Sequence, residues 1–521
     1  MKKMVLTLAL MVHSLAGLAG VNPKNGDFYI SYKDLSVQKN GQALEILRTY
    51  NSLSTSVGWF GYGWGSRLET RLIVLPDGSA VIRENGNGRD TFYRTGHVAA
   101  IQAGVQRIVD AATRKDGLTP EAAAALATRL LGDERLRVSS TIQYAIQSEL
   151  QDDGALEDEC GKGNLVRVPE GYRRLDCNRF GDSEPAVDTF DAQGRLIRHE
   201  LRNGYAVLIN HSRDGTSEIR DTLGQRITLA RNPDGQVVKA EGGENSVTYT
   251  YDGTDLVGFN DPTDNSYGYS YDRQHNLTQI RYIDDSKMFI SYSPGANGRA
   301  DAVTERDGTQ HTYVYRSDPQ DPSRYSTTLT VTSPSGKTST RVYEYQDRTS
   351  SLGVTQPSRI VAESGSGIRE TQFDEKGRTI RKGNSDGGYS DYIYHGDKLI
   401  LVLKKDQRTE FHYDAKGKLI QAANSKGKIV DIFYGEASDL ICSMVVSKNA
   451  GEPRRELKFK YNENGKPVDI TLVGVGNIHV AYGEDGEISK VESKDGANMA
   501  LQVLQAFQDL MSMVAVASAN L

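Results

Sequence analysis

The feature that most constrains the fold of this chain is an internal repeat marked by aromatic residues. Within each run of repeats, successive aromatic marks lie at nearly equal distances along the sequence. A regular period of about 20 residues indicates a repeat architecture, in which each unit packs mainly against its neighbours. Two runs show the period most plainly: Tyr251, Tyr271, Tyr292 and Tyr313, then Phe373, Tyr394, Tyr413 and Tyr434.

A local turn motif follows the aromatic residue in many copies. Its consensus is aromatic-Asp-x-x-Gly-(Lys/Arg)-(Leu/Thr)-Ile, in which the Asp side chain starts a turn and the Gly supplies the positive φ that closes it. Alternating residues on both sides of the motif predict strands, so each repeat is predicted to be a β-hairpin. The residues that carry the motif are Phe190, Asp191, Gly194, Tyr251, Asp252, Tyr271, Asp272, Phe373, Asp374, Gly377, Tyr413, Asp414 and Gly417.

Stacking of these hairpins explains an unusual composition. A single hairpin cannot bury a hydrophobic face alone, so the repeats are expected to form one long antiparallel sheet. The chain has 27 Tyr against 12 Phe, and it has 52 Gly. We expect Tyr at strand ends, where its ring packs on the sheet and its hydroxyl reaches water or a backbone group. The net charge of -6 argues against a nucleic-acid partner, which requires a concentrated positive surface.

The N-terminus has the organisation of a secretory signal peptide. Lys2 and Lys3 are basic, residues 4–18 are mostly apolar, and the small residues Gly17 and Ala19 suit signal peptidase. An uncleaved membrane anchor is the alternative, but the apolar stretch is shorter than a bilayer-spanning helix. We therefore expect a secreted, periplasmic or cell-surface protein without a transmembrane anchor after cleavage.

Three cysteines would remain in an exported chain. Cys160 and Cys177 flank a polar segment, and a disulfide between them is expected in an oxidising compartment. Cys442 lies in an apolar, strand-like run, where we expect a buried thiol that acts as a small hydrophobic side chain.

A second set of motifs lies upstream of the repeats. Together with the Tyr-Asp repeats, it resembles the RHS/YD-repeat family of bacterial proteins, including the conserved domain that precedes RHS repeats in that family. The resemblance covers most of residues 21–490, and it implies β-hairpins that spiral into a hollow shell, or cocoon, commonly around a C-terminal toxin. The upstream motif residues are Gly26, Asp27, Tyr32, Arg48, Tyr50, Asn51, Gly61, Tyr62, Gly63 and Trp64.

The sequence departs from this family in its helical segments and at its C-terminus. No Asp-Pro-x-Gly-Leu-like autoprotease junction is found, and only a short segment follows Tyr482, so we expect a shell without the usual C-terminal toxin. Residues 97–163 are predicted to be a helical insertion, with Thr119 and Pro120 at the start of one helix. This insertion is either a surface excursion or a plug of the shell. Residues 497–521 are predicted to form an amphipathic helix that packs against or inside the shell.

These elements predict a mainly β fold: spiralling antiparallel β-hairpin repeats that form an RHS-like shell, with a helical insertion and a C-terminal helix. The predicted divisions are 1–19 signal peptide, 20–96 RHS-associated N-terminal β domain, 97–163 helical insertion, 164–496 RHS/YD repeats, and 497–521 C-terminal helix.

Three functions are compatible with this organisation. The first is an exported, non-enzymatic shell that encloses or presents its own helical segments or a partner polypeptide. The second is a cell-surface module that binds carbohydrate, which the family resemblance implies. The third is a small toxin-like effector in the helical segments. No metal-ligand spacing or nucleophile motif is found, so we expect no catalytic residue, metal site or cofactor. The expected partners are an enclosed polypeptide or a cell-surface glycan.

Overall fold

A computed structural model describes most of the chain. The residues described are 19–150, 155–157, 164–176, 186–201, 204–211, 216–263, 265–295, 298–435, 440–448, 454–462, 465–482, 488–493, 502–503 and 506. The predicted signal peptide, except for Ala19, and the predicted disulfide between Cys160 and Cys177 lie outside these residues.

The N-terminal residues form three small antiparallel sheets. The first sheet has the order β1-β2-β3-β6, the second pairs β4 with β5, and the third has the order β7-β8-β9. Asn40 and Gly41 both have positive φ and close the long β2–β3 hairpin with the backbone that suits twisted strands. The strands are β1 (Gly20–Val21), β2 (Phe28–Lys39), β3 (Gln42–Asn51), β4 (Val57–Gly58), β5 (Gly61–Tyr62), β6 (Trp64–Ser66), β7 (Arg71–Val74), β8 (Ala80–Arg83) and β9 (Asp90–Tyr93).

A three-helix subdomain follows, consisting of α1 (Val98–Asp116), α2 (Pro120–Gly132) and α3 (Glu134–Gln143). As predicted, Pro120 occupies the first turn of α2, and the Thr119 side chain accepts a hydrogen bond from the Ala122 amide. The apolar face of α1 packs against Leu130 of α2, while most of α2 is exposed.

The remaining strands form one antiparallel sheet of 31 strands among the described residues, and each strand pairs with its neighbours in sequence. Its first part contains β10 (Leu156–Glu157), β11 (Asn164–Val168), β12 (Gly171–Asp176), β13 (Ala186–Asp191), β14 (Leu196–Leu201), β15 (Ala206–His211), β16 (Thr216–Asp221), β17 (Arg226–Arg231), β18 (Val237–Gly242), β19 (Asn245–Asp252), β20 (Asp255–Asn260), β21 (Ser266–Tyr271), β22 (Leu277–Arg281), β23 (Lys287–Tyr292), β24 (Ala300–Thr304) and β25 (Gln310–Ser317). Its second part contains β26 (Arg324–Thr332), β27 (Thr338–Thr349), β28 (Thr355–Ser364), β29 (Gly367–Phe373), β30 (Thr379–Asn384), β31 (Tyr389–His395), β32 (Lys398–Lys404), β33 (Gln407–Tyr413), β34 (Leu419–Asn424), β35 (Lys428–Tyr434), β36 (Ile441–Lys448), β37 (Arg455–Tyr461), β38 (Pro467–Leu472), β39 (Gly476–Tyr482) and β40 (Ile488–Glu492). The prediction of a mainly β fold built from consecutive antiparallel hairpins is confirmed.

A β-bulge recurs beside the turn motif. Tyr271 pairs with Leu277 while Ser270 pairs with Gln279, which leaves Thr278 as an extra residue. A bulge bends its strand and increases the local twist, so its repetition gives the sheet curvature at each repeat. We call the residue in the Tyr271 position the anchor and the residue it pairs with the post-turn residue. The same shift accompanies Phe190, Arg231, Tyr251, Tyr292, Asp347, Phe373, Tyr394, Tyr413, Tyr434, Tyr461 and Tyr482.

One face of the sheet carries two separate hydrophobic clusters. In the first, sheet residues such as Ile219 and Ile280 pack against N-terminal residues such as Phe28 and Ile46. In the second, the sheet from Leu399 to Ile478 packs against Val503 and Ala506. Gln502, Val503 and Ala506 are helical, and the rest of the predicted C-terminal helix lies outside the described residues.

Cys442 corrects one prediction. It is a free thiol in β36, but it is exposed rather than buried. Tyr434 pairs with Ile441 and Phe433 with Ser443, so Cys442 is the extra residue of a bulge and does not join the core. No helix among the described residues has both the length and the apolar character needed to cross a membrane.

Candidate functional site

The hydroxyl groups of the anchor tyrosines tie each repeat to the one before it. The Tyr271 hydroxyl donates to the Leu256 carbonyl at 2.9 Å, and the Tyr292 hydroxyl donates to the Leu277 carbonyl at 2.8 Å. Because Leu256 and Leu277 are post-turn residues, each bond joins consecutive hairpins. Equivalent bonds to the preceding post-turn carbonyl are made by Tyr251, Tyr394, Tyr413, Tyr434, Tyr461 and Tyr482.

In one repeat the anchor is not the tyrosine that the sequence period predicts. The period predicts Tyr313, but the hydroxyl of Tyr315 donates to the Ala300 carbonyl at 2.6 Å. The loop between Tyr292 and its partner Ala300 is longer than the loop between Tyr271 and Leu277, which displaces the register.

A basic residue lies over the anchor ring in several repeats, beginning with Arg299, which lies 4.8 Å from the centre of the Tyr315 ring. The Arg378 guanidinium lies 4.4 Å from the centre of the Tyr394 ring, and the Lys398 ammonium lies 4.9 Å from that of Tyr413. Each basic residue directly precedes a post-turn residue, so the Lys/Arg position of the consensus supplies a cation over the next anchor ring. The same arrangement joins Lys418 to Tyr434 and Lys466 to Tyr482.

The turns of the motif have the predicted chemistry. The Asp414 carboxylate accepts the amides of Lys416 at 2.9 Å and Lys418 at 2.8 Å, and Gly417 has a φ of +85°. Asp252 differs, because Asp252 pairs with Asp255 across a tight turn and its side chain is exposed. Bonds like those of Asp414 are made by Asp191, Asp272 and Asp374, and Gly194 and Gly377 also have positive φ.

These turns lie at one edge of the sheet, where the odd-numbered strands from β13 to β39 end; we call it the turn edge. The N-terminal domain, residues 19–93, runs along the first part of this edge. Its backbone and one tyrosine hydroxyl bond directly to turn and post-turn groups of the sheet. The bonds are Leu72 amide to Gly194 carbonyl (2.8 Å), Val237 amide to Trp59 carbonyl (2.7 Å), Tyr62 amide to Thr254 carbonyl (2.8 Å), Leu277 amide to Tyr50 hydroxyl (2.9 Å) and Ala300 amide to Gly26 carbonyl (2.8 Å).

Glycine permits this close approach. A Cβ on Gly61 would lie 2.5 Å from the Thr254 carbonyl oxygen, and a Cβ on Gly194 would lie 2.1 Å from the Leu72 carbonyl oxygen. Both glycines also have positive φ. These two motif residues are therefore required by the contact between the N-terminal domain and the turn edge.

A buried ion pair lies at the centre of this contact. Arg48 donates to Asp34 through Nε at 2.8 Å and through Nη2 at 3.1 Å, and Nη2 also donates to the Tyr269 hydroxyl at 3.1 Å. The Tyr249 hydroxyl donates to Asp34 Oδ2 at 2.9 Å. Arg48 is 0% exposed and Asp34 is 4% exposed. Burial alone would lower the pKa of Arg48, but the charge of Asp34 and these hydrogen bonds raise it.

Aromatic rings surround the guanidinium. The Trp64 ring centre lies 4.3 Å from the Arg48 Cζ, and the ring centres of Tyr32 and Tyr269 lie 5.2 and 5.4 Å away. Trp64 also donates through Nε1 to the hydroxyl of the anchor Tyr271 at 2.9 Å. The motif residues Tyr32, Arg48 and Trp64 thus form one cluster with the sheet.

The remaining upstream motif residues shape the same surface. The Asn51 amide donates to the Gly63 carbonyl at 2.9 Å, and Gly63 has a φ of +75°. Asp27 accepts the Leu53 amide and the Ser52 hydroxyl, both at 3.3 Å. Burial raises the pKa of Asp27 to about 6, although these hydrogen bonds act in the opposite direction.

A second carboxyl group, Glu69, also lies at the contact. Its Oε1 accepts the Trp59 amide at 2.6 Å, while its Oε2 is buried and has no hydrogen-bond partner among the residues described. Burial raises the pKa of Glu69 to about 8, against the opposing influence of the Trp59 amide and the charge of Arg231. Arg231 lies over the Trp59 ring at 4.3 Å.

A charged network joins the N-terminal domain to the start of the long sheet. Arg174 of β12 forms ion pairs with Asp188 of β13 and with Glu84 of the N-terminal domain. His199 Nδ1 lies 2.6 Å from Asp188 Oδ1. Burial would raise the pKa of Asp188, but the charge of Arg174 and the contact with His199 lower it.

The helical subdomain continues this coverage. The Glu134 amide donates to the Gly353 carbonyl at 3.1 Å, and Arg137 Nη2 donates to the Leu352 carbonyl at 2.8 Å. Leu352 and Gly353 belong to the turn that follows β27, so α3 also contacts the turn edge. A Cβ on Gly353 would lie 2.7 Å from the Asp133 amide. The helical insertion therefore contacts the turn edge through α3, while most of α2 is exposed.

Sequence reasoning missed several residues of this site. His211 and Arg231 occupy repeat positions, and His211 Nε2 lies 2.8 Å from the carbonyl of the post-turn residue Leu196. Both residues lie between Phe190 and Tyr251 at the regular spacing of the repeat, so the period alone was a sufficient signal. Within the described part of the chain, no three His, Cys, Asp or Glu side chains group as metal ligands.

Comparison with known proteins adds a local match in the N-terminal domain. Residues 19–92 match the family DUF6531, described as a domain of unknown function. The tRNA nuclease WapA of Bacillus subtilis (strain 168) is 37% identical over 65 residues, which are 12% of this chain and 3% of WapA. The tRNA3(Ser)-specific nuclease WapA of Bacillus spizizenii is 38% identical over 65 residues, with the same shares. The chain therefore matches only a small part of the length of these relatives.

Solved structures give a broader but weaker likeness. The crystal structure of TcdB2-TccC3-TEV has 12% identity and a TM-score of 0.35, covering 88% of this chain and 24% of that chain. The Photorhabdus luminescens Tc holotoxin pore has 12% identity and a TM-score of 0.31, covering 91% of this chain and 29% of that chain.

Proposed function

We propose that this chain is an exported, non-enzymatic shell protein of the RHS type, with YD repeats, that encloses or presents a polypeptide. In this proposal the long sheet is the wall, and the N-terminal domain is a cap that holds the turn edge of the first repeats. The DUF6531 match, the local similarity to WapA and the Tyr-Asp consensus support the RHS assignment.

One observation carries the proposal. The N-terminal domain bonds to groups of the turn edge from Gly194 to Ala300, and it buries an ion pair and aromatic rings against the same repeats. A domain that caps a repeat scaffold needs similar contacts with several successive repeats. A catalytic domain would instead need a cleft with reactive groups.

Protection of a C-terminal tag tests enclosure. We would append an epitope behind a protease site at the C-terminus of the full chain and compare its cleavage rate with that of the same tag inserted at the exposed turn between β28 and β29. We expect the C-terminal site to be cut at least tenfold more slowly. Equal rates at the two sites, in protein with a normal circular dichroism spectrum, would refute enclosure.

Export is part of the proposal and rests on the basic and apolar residues before Ala19. Expression of the full chain in a bacterium should yield a periplasmic or secreted product whose N-terminus lies at or near Gly20. N-terminal sequencing of the product tests this, and an intact Met1 in the cytoplasmic fraction would contradict export.

A second candidate function, glycan binding, is favoured by one surface. Phe289 is 46% exposed on the sheet, and it lies in a shallow depression with the hydroxyl and amide side chains of Ser270, Gln279, Ser291 and Thr304. An exposed ring among such groups suits stacking with a sugar. A glycan array with the full chain and with Phe289→Ala tests it. Binding that the variant retains in full would exclude this surface.

A further inference from the structure

A group of basic side chains lies between the two hydrophobic clusters of the long sheet. We call the face that carries both clusters the cluster face. Arg341 of β27 is directly opposite Leu329, which packs against the first cluster. Lys382 of β30 is opposite Ser390, which lies two positions before Tyr392, and the Tyr392 ring packs against the second cluster. Because directly opposite residues share a face of a sheet, and so do alternate residues of one strand, both cations lie on the cluster face.

Two further cations lie on either side of Lys382. Lys404 of β32 is opposite Ser390. Arg369 of β29 lies two positions before Thr371, which is opposite Lys382. All four basic side chains are exposed, and strands about 4.8 Å apart spread them over about 24 Å from β27 to β32. We call Arg341, Arg369, Lys382 and Lys404 the basic track.

The basic track has no carboxylate partner in the part of the chain that the structure describes. None of its four side chains forms an ion pair with an Asp or Glu of that part. Strands β27 to β33 place one acidic side chain on the cluster face, Asp347, which lies at the turn edge. Asp347 is paired with Lys24 of the N-terminal domain at 3.1 Å, and it accepts the Tyr325 hydroxyl at 2.9 Å. The positive charge of the track is therefore uncompensated.

The turns beside the track do not reverse its charge. At this edge of the sheet the turns carry two acidic residues, Asp386 and Asp406, and two basic residues, Lys337 and Lys405. These charges cancel, so the four cations of the track remain in excess.

The opposite face of the same strands has a different charge pattern. There, Arg359 pairs with Glu370 at 2.7 Å, and Arg408 pairs with Glu410 at 2.6 Å. Exposed pairs of this kind add little stability, but they place carboxylates beside the cations of that face. The lack of carboxylates is thus a property of the cluster face and not of the strands as a whole.

Polypeptide already covers the cluster face on both sides of the track. Towards the first cluster, the Thr327 hydroxyl donates to the Pro23 carbonyl of the N-terminal domain at 2.6 Å. Towards the second cluster, Val503 and Ala506 pack on the sheet. A polypeptide that lies on the track would continue this coverage, and its carboxylates would supply the counter-charges that the track lacks.

Other anionic polymers fit the track less well. Sugar binding uses an exposed ring for stacking, and the exposed rings of the described long sheet, Phe289, Tyr389 and Phe433, lie on the opposite face. Single-stranded nucleic acid also stacks its bases on aromatic rings, and it needs a larger positive surface than four cations. On the cluster face beside the track, the rings of Tyr343 and Tyr392 are partly buried.

We propose that the basic track is a docking site for an acidic segment of a partner polypeptide. Carboxylates of that segment pair with the guanidinium groups of Arg341 and Arg369, which suit bidentate bonds, and with the ammonium groups of Lys382 and Lys404. The inference rests on the proposed function, in which the sheet is the wall around a polypeptide, and it adds the place of contact and the chemistry of the partner.

Fluorescence anisotropy with a defined probe tests the docking site. The probe is a labelled decapeptide of alternating Glu and Gly. The controls are a decapeptide of alternating Lys and Gly and a hexauridylate that carries as many negative charges as the Glu peptide. We expect the full chain to bind the Glu peptide at least tenfold more tightly than either control, with affinity that falls as salt is raised. Equal or tighter binding of the hexauridylate would overturn a polypeptide as the occupant.

Carbodiimide coupling locates the bound peptide. The reagent joins a Glu carboxylate to a lysine amine that it contacts, and mass spectrometry then identifies the lysine. Links should form at Lys382 and Lys404 and should be lost at high salt. Links spread evenly over the lysines of the chain would contradict a single site.

Matched double variants separate the track from the rest of the sheet. Arg369→Glu with Lys382→Glu should weaken binding at least tenfold. Arg316→Glu with Arg348→Glu makes the same change of charge at two exposed arginines of the opposite face, and it should change binding less than twofold. Arg369→Lys with Lys382→Arg should keep the affinity, which separates charge from loss of fold. Equal weakening by the two Glu variants, or no binding of the Glu peptide even at a large excess of protein, would overturn the inference.

The two proposals fail separately. Rapid cleavage of the C-terminal tag with intact peptide binding would remove the shell and leave the docking site. Slow cleavage without peptide binding would remove the docking site and leave the shell.

Discussion

The buried Arg48–Asp34 pair gives the sharpest test of how the N-terminal domain is held. Asp34→Ala removes the acceptor of two Arg48 hydrogen bonds and of the Tyr249 hydroxyl, and it leaves a guanidinium that is 0% exposed. Removing one partner of a buried pair typically costs about 3–5 kcal/mol, because the other charge stays desolvated. We expect Asp34→Ala to lower the free energy of unfolding of the N-terminal domain and the repeats it contacts by that amount. Arg48→Met should lower it by a similar amount.

The double variant separates the cost of an orphaned charge from the strength of the contact. Asp34→Leu with Arg48→Met leaves no buried charge at this place, and a hydrophobic replacement of a buried ion pair is often close to neutral. The Tyr249 hydroxyl then lacks its acceptor, which costs about 1–3 kcal/mol. The double variant should therefore be less destabilised than either single variant.

Tryptophan fluorescence during urea unfolding is a suitable assay, because both tryptophans of the chain, Trp59 and Trp64, lie at this contact. Asp90→Asn is the matched control, since Arg83 and Asp90 also form a bidentate pair, at 2.9 and 3.0 Å, but their side chains are 23% and 22% exposed. The control should cost less than about 1 kcal/mol. Single variants at Asp34 and Arg48 that cost no more than this control would refute the reasoning.

Three further predictions concern other contacts. The folded-state pKa of Glu69, about 8, lies above its ordinary value of 4.5. Its protonated form therefore stabilises the fold fully below pH 4.5, and this stabilisation is lost as the pH rises through 8. In urea unfolding, the free energy of unfolding should fall less between pH 5 and pH 8 for Glu69→Gln than for the native chain. Tyr434→Phe removes the hydrogen bond to the Leu419 carbonyl and should cost about 1 kcal/mol of stability, measured by thermal unfolding. Tyr389→Phe, at an exposed ring, should cost almost nothing. Equal losses in the two variants would argue against a stabilising role for the anchor hydroxyl groups. Gly353→Ala should destabilise the chain and speed proteolysis of the helices more than Gly336→Ala. Both glycines have positive φ, but only at Gly353 would the new Cβ meet backbone, at 2.7 Å. Equal losses of stability in the two variants would mean that the helices are not held at Gly353.

The repeat made much of the fold predictable from the sequence. Turn residues such as Asp414 and Gly417 act through bonds within their own turn, so their roles follow from local chemistry. The strand β11 begins at Asn164, where the predicted divisions place the start of the repeats. Where the loop after Tyr292 lengthens, a fixed period failed and selected Tyr313 instead of Tyr315.

The function of the upstream motif was not predictable in this way. Arg48 and Tyr269 are 221 positions apart, and nothing in either local sequence shows that they meet. Cys442 illustrates the same limit, because an apolar run indicates burial but does not reveal which residue a bulge turns outwards. Local patterns therefore predicted the hairpins, whereas the contact that assembles them needed the structure.

The chain of tyrosine hydroxyl bonds has a consequence for how the molecule comes apart. It runs from Val237 to Tyr315 and again from Thr379 to Tyr482, and the anchors between the two runs are Asp347 and Phe373, neither of which has a tyrosine hydroxyl. The two hydrophobic clusters are separated over the same strands. A sheet that is continuous in its backbone thus contains two blocks of mutually supporting side chains. We expect each block to unfold cooperatively, so that heating or pulling the chain releases the block after Phe373 and the block in contact with the N-terminal domain in separate steps.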